Sequence, residues 1–209
     1  MKKLFAIIAC ILASLTTHAQ QEPGTFSITP KAGFTLSNLR GSDADDFHSK
    51  FDFTAGGEGI YQISDHTALS AGLMYTQQGA SFSEGSFNYN LDYINLPIMF
   101  CYNASEESAI KIGIQLGYLL NSEAKTSVYG NSSKVKITDC CNKLDISIPI
   151  GISYSFDHLV TEFRYSLGLT RIFSDLSKEK EIYNIYDKKK DPKIYNSVVT
   201  VTVGYRFDL

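Results

Sequence analysis

Apolar and polar residues alternate along most of this chain, and this period of two is the feature that most constrains its fold. The alternation recurs in eight segments, spanning residues 26–36, 50–63, 67–78, 90–102, 110–121, 145–156, 159–170 and 195–209. The clearest is 110–121, where one face carries Ile110, Ile112, Ile114, Leu116, Tyr118 and Leu120. Successive side chains of a β-strand point to opposite faces, so this period indicates strands with one apolar face. The sequence therefore predicts an all-β fold of eight strands.

The direction of the apolar face separates two kinds of β-protein. In a secreted sandwich or a lipocalin-like barrel, the apolar face points inward. The interior of an eight-stranded barrel, however, is only just wide enough for side chains to fill. Large apolar residues at every second position of every strand would overfill it. We therefore predict a closed, eight-stranded, antiparallel up-and-down transmembrane β-barrel, with its apolar face against lipid.

The opposite faces of the strands predict a charged lumen. The charged residues at inward positions are Lys31, Glu58, Lys111, Glu162, Arg164 and Arg206. Because buried charges are stable only when they are paired, we predict that these six form a network of salt bridges that fills the barrel. The alternatives are a narrow conducting path and a small-ligand site.

Three prolines lie inside the predicted strands, at Pro30, Pro97 and Pro149. Each lacks the backbone N–H that a strand ladder needs, and a closed barrel has no free edge where the loss would be harmless. We therefore predict a local β-bulge at each proline.

The connections between the segments alternate in length. Those at 64–66, 103–108 and 157–158 are short, whereas those at 40–49, 79–89, 122–143 and 171–194 are long and polar. Short periplasmic turns and long external loops are typical of outer-membrane barrels. With an even number of strands, both termini are then expected on the periplasmic side.

The two ends of the chain fit an exported membrane protein. Lys2 and Lys3 precede an apolar run at 4–15 and a small-residue cleavage site at 17–19, which predicts a removed signal peptide at 1–19. A short lead at 20–25 and a barrel domain at 26–209 follow. The carboxyl end, with Gly204, Phe207 and Leu209, resembles the signal that outer-membrane barrels present to their assembly machinery. That machinery is therefore an expected partner during insertion.

Charge and cysteine content exclude several classes of function. The predicted mature chain would hold 17 basic and 22 acidic residues, a net charge of −5, which argues against nucleic acid as a partner. No cysteine or histidine spacing suits zinc, and we expect no metal and no cofactor. The adjacent Cys140 and Cys141 leave three interpretations open: a vicinal disulfide, an intermolecular link or a means of stiffening the loop.

The long connections hold the remaining candidates. His48 follows Asp43, Asp45 and Asp46, but nothing in the sequence places a nucleophile beside its imidazole, so we predict that the protein is not an enzyme. The last connection is rich in lysine between 178 and 190 and carries Tyr183 and Tyr186, and Tyr195 follows at its end. Such a segment suits protein contacts or anionic lipopolysaccharide, and it equally suits a solvated loop.

Four motifs and the carboxyl end resemble one known family. The motifs are PKAG at 30–33, LDYINLPI at 91–98, GIQLGYLL at 113–120 and RYSLGL at 164–169. Together they are similar to the PorT-like outer-membrane β-barrel proteins of Bacteroides-type Gram-negative bacteria. The resemblance implies an integral outer-membrane barrel in contact with lipid and lipopolysaccharide. It also implies a structural or accessory role through extracellular protein contacts, with type IX secretion as one setting. A small-ligand-binding or weakly conducting barrel is the first alternative, and a lipid-modifying enzyme is the second.

Overall fold

The computed structural model describes residues 22–42, 44, 47–82, 87–128, 131–174 and 192–209. Within these ranges the chain forms ten strands and one 3₁₀ turn at Thr138–Cys140. The strands are β1 Phe26–Arg40, β2 Phe47–Ser64, β3 Thr67–Phe82, β4 Phe87–Asn103, β5 Ser108–Val128, β6 Asn131–Lys136, β7 Leu144–Phe156, β8 Leu159–Arg171, β9 Tyr195–Tyr205 and β10 Phe207–Asp208. In the described part of the chain, no helix is long and apolar enough to cross a membrane.

The strands close into one antiparallel ring. From β1 to β5 and from β7 to β9 each strand pairs with the next. The strand β5 pairs with both β6 and β7, and β1 returns to pair with β9 and β10. The closing register runs from Lys31 opposite Gly204 to Arg40 opposite Tyr195. The short β10 continues the last strand and places Ser27 opposite Asp208. When β9 and β10 are counted as one strand and β6 is left outside the ring, the described residues form a ring of eight strands. The closed eight-stranded fold is therefore confirmed.

Apolar side chains cover the outside of the ring, and polar ones fill the inside. On β5, Ile112 is 49% exposed, whereas the neighbouring Lys111 is 1% exposed. The same contrast recurs on other strands of the ring, where Leu73, Ile98, Ile152, Phe163 and Val201 are exposed. An apolar surface that surrounds the whole molecule is stable only in lipid. The predicted facing of the strands is therefore confirmed.

One wall of the barrel is taller than the rest. The pairing of β5 with β7 stops at Tyr118 opposite Leu144, but β5 continues to Val128 beside β4 and β6. Ten further residues of strand correspond to about 33 Å of chain. The strands β2 to β6 therefore rise past the ring at the end that carries the long connections, which we call the long-loop end. The other end, with the turns around 65, 105 and 157 and with residue 209, is the short-turn end.

The polarity of β4 inverts where it leaves the ring. Within the ring, Leu96, Ile98 and Phe100 face outward, and Asn95 and Met99 face inward. Past the ring, the inward positions are apolar, with Tyr89 and Leu91 buried, and the outward ones are Asn88, Asn90 and Asp92. An apolar outward face is favourable only at hydrocarbon depth. The boundary of the hydrocarbon therefore lies near Asp92 and Ile94.

The prediction of a bulge at each proline is wrong. Pro30, Pro97 and Pro149 stay paired on one side, opposite Gly57, Gln115 and Ser166. On the other side two successive pairs are missing, yet the register is unchanged beyond each gap. The strand thus tolerates the lost donor by leaving a short gap toward one neighbour, and no extra residue is inserted. The register shifts lie elsewhere, at Ser49/Thr54, Gln62/Ser64, Asp92/Tyr93 and Leu167/Arg171.

The shift between Ser49 and Thr54 separates β2 from β3. Two hydroxyl groups of β1 compensate for the lost backbone pairs. Thr35 Oγ1 donates to the Gln77 carbonyl at 2.8 Å, and Ser37 Oγ both donates to the Gly79 carbonyl and accepts from its N–H at 2.9 Å. The interior side of β3 is therefore satisfied, and the opening lies on the outward side.

Arginine at Ile114 should be far more costly than arginine at Leu120. Both side chains face outward on β5, at 58% and 48% exposure, but Ile114 lies near the middle of the apolar band and Leu120 at its edge. We expect Ile114→Arg to lower the free energy of unfolding by about 2–4 kcal/mol and Leu120→Arg by about 0–1 kcal/mol. Urea titration of the protein in lipid vesicles measures both. Equal costs would contradict this depth assignment.

Candidate functional site

A cluster of charged side chains occupies the middle of the barrel. It consists of Lys31 from β1, Glu58 from β2, Lys111 from β5, and Glu162 and Arg164 from β8, and we call it the lumen charge cluster. None of the five is more than 6% exposed. They lie at inward positions of four different strands, so closure of the ring brings them together. This is the interior that the alternation of the strands predicts.

Each carboxylate of the cluster bridges both lysines. Lys31 Nζ lies 2.6 Å from Glu58 Oε2 and 3.0 Å from Glu162 Oε2. Lys111 Nζ lies 2.8 Å and 3.0 Å from the same two oxygens. Arg164 pairs with the other carboxylate oxygen of Glu162, Oε1. Because every charge has a partner, the cluster fills the lumen without the large cost of an isolated buried ion.

The inclusion of Arg206 in this network is wrong. The last strand is interrupted after Tyr205, and Arg206 lies in the break. Its backbone N–H donates to the His158 carbonyl at 2.7 Å, and its Nε lies 3.1 Å from Asp208 Oδ1 at the short-turn end. The register is the same on both sides of the break, so Arg206 keeps an inward position. It lines the cavity toward the short-turn end and pairs with Asp208 instead of the lumen charge cluster.

Little space remains on either side of the lumen charge cluster. The cavity toward the long-loop end, lined by Thr54, Gln115 and Ser166 among others, has a volume of about 20 Å³. The cavity toward the short-turn end, lined by Asn103 and Ser153 among others, has about 40 Å³. A single water molecule needs roughly 10–15 Å³ measured in this way, so each cavity holds only a few waters. Residues of the lumen charge cluster line both cavities.

A second, apolar cluster closes the long-loop end, and the sequence analysis missed it. We call it the apolar plug. Its members are Leu39, Ala44, Ala80, Tyr89, Leu91, Tyr93, Leu119, Ala124, Ile137, Cys140, Cys141, Ile172, Phe173 and Ile194. About half of them come from strands and half from the long connections. The available signal was the set of isolated apolar residues in otherwise polar connections, together with the inverted alternation at 88–93.

Backbone hydrogen bonds fix the connections in the apolar plug. Ile137 N–H donates to the Ser122 carbonyl at 3.1 Å, and Ile172 N–H donates to the Ile194 carbonyl at 2.9 Å. Cys141 and Phe173 form an isolated antiparallel bridge. The Phe173 ring packs edge-on against Tyr89, with ring centroids 5.9 Å apart. The connections therefore bury apolar surface while satisfying their own polar backbone.

Cys140 and Cys141 form no disulfide, which corrects the vicinal interpretation. Both thiols lie inside the apolar plug, at 0% and 5% exposure. The Ser122 hydroxyl donates a hydrogen bond to Cys141 Sγ at 3.6 Å. Burial raises the pKa of the Cys141 thiol to about 12. The pair acts as small apolar side chains of the plug, and its burial also argues against an intermolecular link.

The residues of the predicted assembly signal lie at the closing seam. Gly204 faces inward beside β1, and a Cβ there would lie 2.6 Å from the Pro30 carbonyl oxygen, so the seam requires glycine. Phe207 and Leu209 face outward, at 51% and 75% exposure. Leu209 N–H donates to the Phe26 carbonyl at 2.9 Å. Recognition of this end by assembly machinery stays a prediction.

The candidate catalytic residues are not assembled into a site in the described part of the chain. His48 and Ser49 are exposed on β2, and Asp43, Asp45 and Asp46 lie outside the described residues. No group of three or more histidine, cysteine, aspartate or glutamate side chains there could hold a metal ion. The lysine-rich segment of the last connection and the predicted signal peptide also lie outside the described residues.

The closed ring, the lipid-facing surface and the filled lumen define an outer-membrane β-barrel protein. Residues 18–174 match the family model described as the outer membrane protein beta-barrel domain. The chain belongs to this family, and the protein is an integral protein of the outer membrane. None of the curated proteins matches the chain in sequence.

Solved structures of bacterial barrels are similar to this chain at low sequence identity. Ail, the attachment invasion locus protein of Yersinia pestis, has a TM-score of 0.49 at 14% identity, covering 89% of this chain and 100% of that one. Neisserial surface protein A has a TM-score of 0.49 at 11% identity, covering 87% and 97%. OprG from Pseudomonas aeruginosa has a TM-score of 0.45 at 10% identity, covering 91% and 99%.

Removal of Lys111 from the lumen charge cluster should destabilise the barrel. We expect Lys111→Met to lower the free energy of unfolding by about 1.5–3 kcal/mol, because each buried carboxylate loses one charged hydrogen-bond donor while it keeps Lys31 as a partner. The same change made in a Glu58→Gln background should cost less, since one of those carboxylates is already gone. Lys50→Met, which breaks a partly exposed pair with Asp52, is the matched control and should cost about 0–1 kcal/mol. Additive costs for Lys111 and Glu58 in urea titrations would contradict the coupling.

Disruption of the apolar plug should expose its thiols. At about pH 8, a thiol with a pKa of about 12 holds roughly a thousandfold less thiolate than an ordinary cysteine, so maleimide should label Cys141 slowly. Phe173→Ala removes a buried ring and should speed labelling by at least tenfold by allowing the connections to open. Phe51→Ala, on the 65% exposed outer face, is the control. Rapid labelling of the unmodified folded protein would contradict the plug.

Proposed function

We propose that this protein is a non-conducting anchor in the outer membrane whose long-loop end faces the cell exterior and makes protein contacts. The observation that carries the proposal is the filling of the lumen at two levels, by the lumen charge cluster and by the apolar plug. A barrel closed in this way offers no route for a solute. Its outer wall is then the part that is available for function.

The tall wall supports the proposal of protein contact. Among the described strands, β6 pairs only with β5, so its second edge carries backbone donors and acceptors without a neighbouring strand. Such an edge can accept an extended segment of another protein as an additional strand. The ring itself has no comparable edge because β1 and β9 close it.

The orientation of the barrel is part of the proposal. Long connections on the exterior and short turns in the periplasm are the usual arrangement of these barrels, and both termini would then be periplasmic. The resemblance to PorT-like proteins names type IX secretion machinery as one class of partner. The lipopolysaccharide and lipid of the membrane surround the barrel in either case.

Photo-crosslinking tests the contact and the orientation together. A crosslinking amino acid at position 134 in β6 should give protein adducts in intact cells, whereas one at Asp65 in a short turn should give a different set or none. A membrane-impermeant biotin reagent should reach position 134 and not position 65 when each carries a cysteine. Enrichment of secretion components at position 134 would support the type IX setting. Adducts that do not differ from those of an unrelated eight-stranded barrel would overturn the proposal of specific contact.

Planar-bilayer recording separates this role from a conducting barrel. The purified protein should give no stepwise conductance, because its cavities hold only a few waters and the lumen charge cluster lies between them. Lys50→Met, which leaves the lumen unchanged, should be equally silent. Discrete steps from the unmodified protein would instead favour the weakly conducting alternative.

A further inference from the structure

A polar recess lies on the outward surface of the tall wall, past the boundary of the hydrocarbon. It spans strands β2 to β5 and has a volume of about 420 Å³. This is within the range of roughly 300–1,000 Å³ that is typical of small-ligand sites. The recess is separate from the lumen, since the inward side chains of the same strands belong to the apolar plug.

Cross-strand rows of polar side chains form the floor. One row is Gln77, Asp92 and Asn121, which are direct neighbours on β3, β4 and β5. The next row places Gly79, Asn90 and Glu123 side by side. Gly79 has a φ of +143°, and a Cβ there would lie 1.9 Å from the Tyr89 carbonyl oxygen, so no larger residue fits. The floor is therefore notched at the β3 end of the second row.

The separation of β2 from β3 supplies one side of the recess. Between Ser49 and Thr54 the two strands are not paired, and Lys50 and Asp52 line the opening. Lys50 Nζ lies 2.6 Å from both carboxylate oxygens of Asp52. This salt bridge holds the Asp52 carboxylate in place beside the floor.

The polar groups of the floor are only weakly satisfied by one another. Gln77 Nε2 donates to Asp92 Oδ1 at 3.4 Å and to the Tyr75 hydroxyl at 3.3 Å, and both bonds are long. Asn90 Nδ2 is buried and has no hydrogen-bond partner among the described residues. Buried donors in folded proteins normally have a partner, so the floor has hydrogen-bonding capacity that its own described residues leave unused.

The balance of charge selects the chemistry of the ligand. Asp52, Asp92 and Glu123 outnumber Lys50 and Lys125, which disfavours a phosphate, and no metal-holding group was found among the described residues. Amides supply both donors and acceptors, and carboxylates supply acceptors, which together match the hydroxyl groups of a sugar. We propose that this recess binds a neutral, hydroxyl-rich saccharide segment.

Two sources could supply such a segment. If the long-loop end faces the exterior, as the proposed function has it, the recess lies at the level of the saccharide part of the outer leaflet's lipopolysaccharide, and a neutral core sugar, rather than a phosphate- or carboxylate-bearing one, would fill it. The second source is a soluble oligosaccharide. We commit to lipopolysaccharide, because the recess lies on the flank of the barrel, just past the lipid-facing surface, rather than at its tip.

Calorimetric titration of the full-length mature protein tests the site independently of orientation. The protein is held in a zwitterionic detergent, since detergents with sugar headgroups would compete. The probes are the phosphate-free core oligosaccharide of the host's lipopolysaccharide and neutral four- to six-unit oligosaccharides. We expect saturable binding of the core oligosaccharide. Asp92→Ala should raise its Kd at least tenfold, because hydrogen bonds to a charged group are stronger than those between neutral groups.

Matched variants make each outcome informative. Asp65→Ala, the same change in an exposed turn at the other end, should bind like the unmodified protein. Asn121→Ala is a second test of the floor, and heat-modified migration on gels confirms that each variant is folded. Unchanged affinity in both floor variants, or no binding of any sugar, would overturn the site. Loss of binding in chelator would overturn direct recognition by the floor and assign it to a bridging cation. Preference for a soluble oligosaccharide would overturn the source, and failure of the crosslinking experiment would leave this result unaffected.

Discussion

Backbone hydrogen bonding in hydrocarbon is the constraint on which the rest of this structure depends. Water is absent there, so every N–H and C=O of the spanning strands needs a partner, and only a closed sheet provides one for all of them. The pairing of β1 with β9 satisfies that requirement. A closed ring of eight strands has a narrow interior, and the apolar side chains already face the lipid. The lumen must therefore be filled by polar side chains that satisfy each other.

The way in which the interior is filled changes at the hydrocarbon boundary. At membrane depth the lumen contains the five residues of the lumen charge cluster, which are mutually paired. Past that depth the outer face of the wall meets a polar environment, and the alternation inverts, so that Tyr89 and Leu91 turn inward. The long connections complete this second core with Ile137, Ile172 and Phe173. In both parts of β4 the apolar side chains face the side from which water is excluded. This is the lipid side within the membrane and the inner side past it, so the alternation is opposite at the two depths.

The sequence alone specifies the strands of the ring, which face of each strand points outward, and most of the lumen charges, because these follow from a local period of two. It does not specify features that depend on where a strand ends or on contacts between distant segments. Arg206 continues the alternation both in sequence and in register, but it lies at the short-turn end, where its partner is Asp208. The prolines lose a donor as expected, yet the neighbouring pairs hold the register and no bulge forms. The recess requires the register shift between β2 and β3, which no local pattern predicts.

The seam between β1 and β9 joins the two ends of the chain, so its pairs have the greatest sequence separation in the barrel. Contacts of this kind carry the largest loop-closure entropy and form late during folding. Pro30 divides the seam into the long β9 section and the short β10 section, which Leu209 ties to Phe26. The two sections share one register, so pairing of the long section fixes the alignment of the short one.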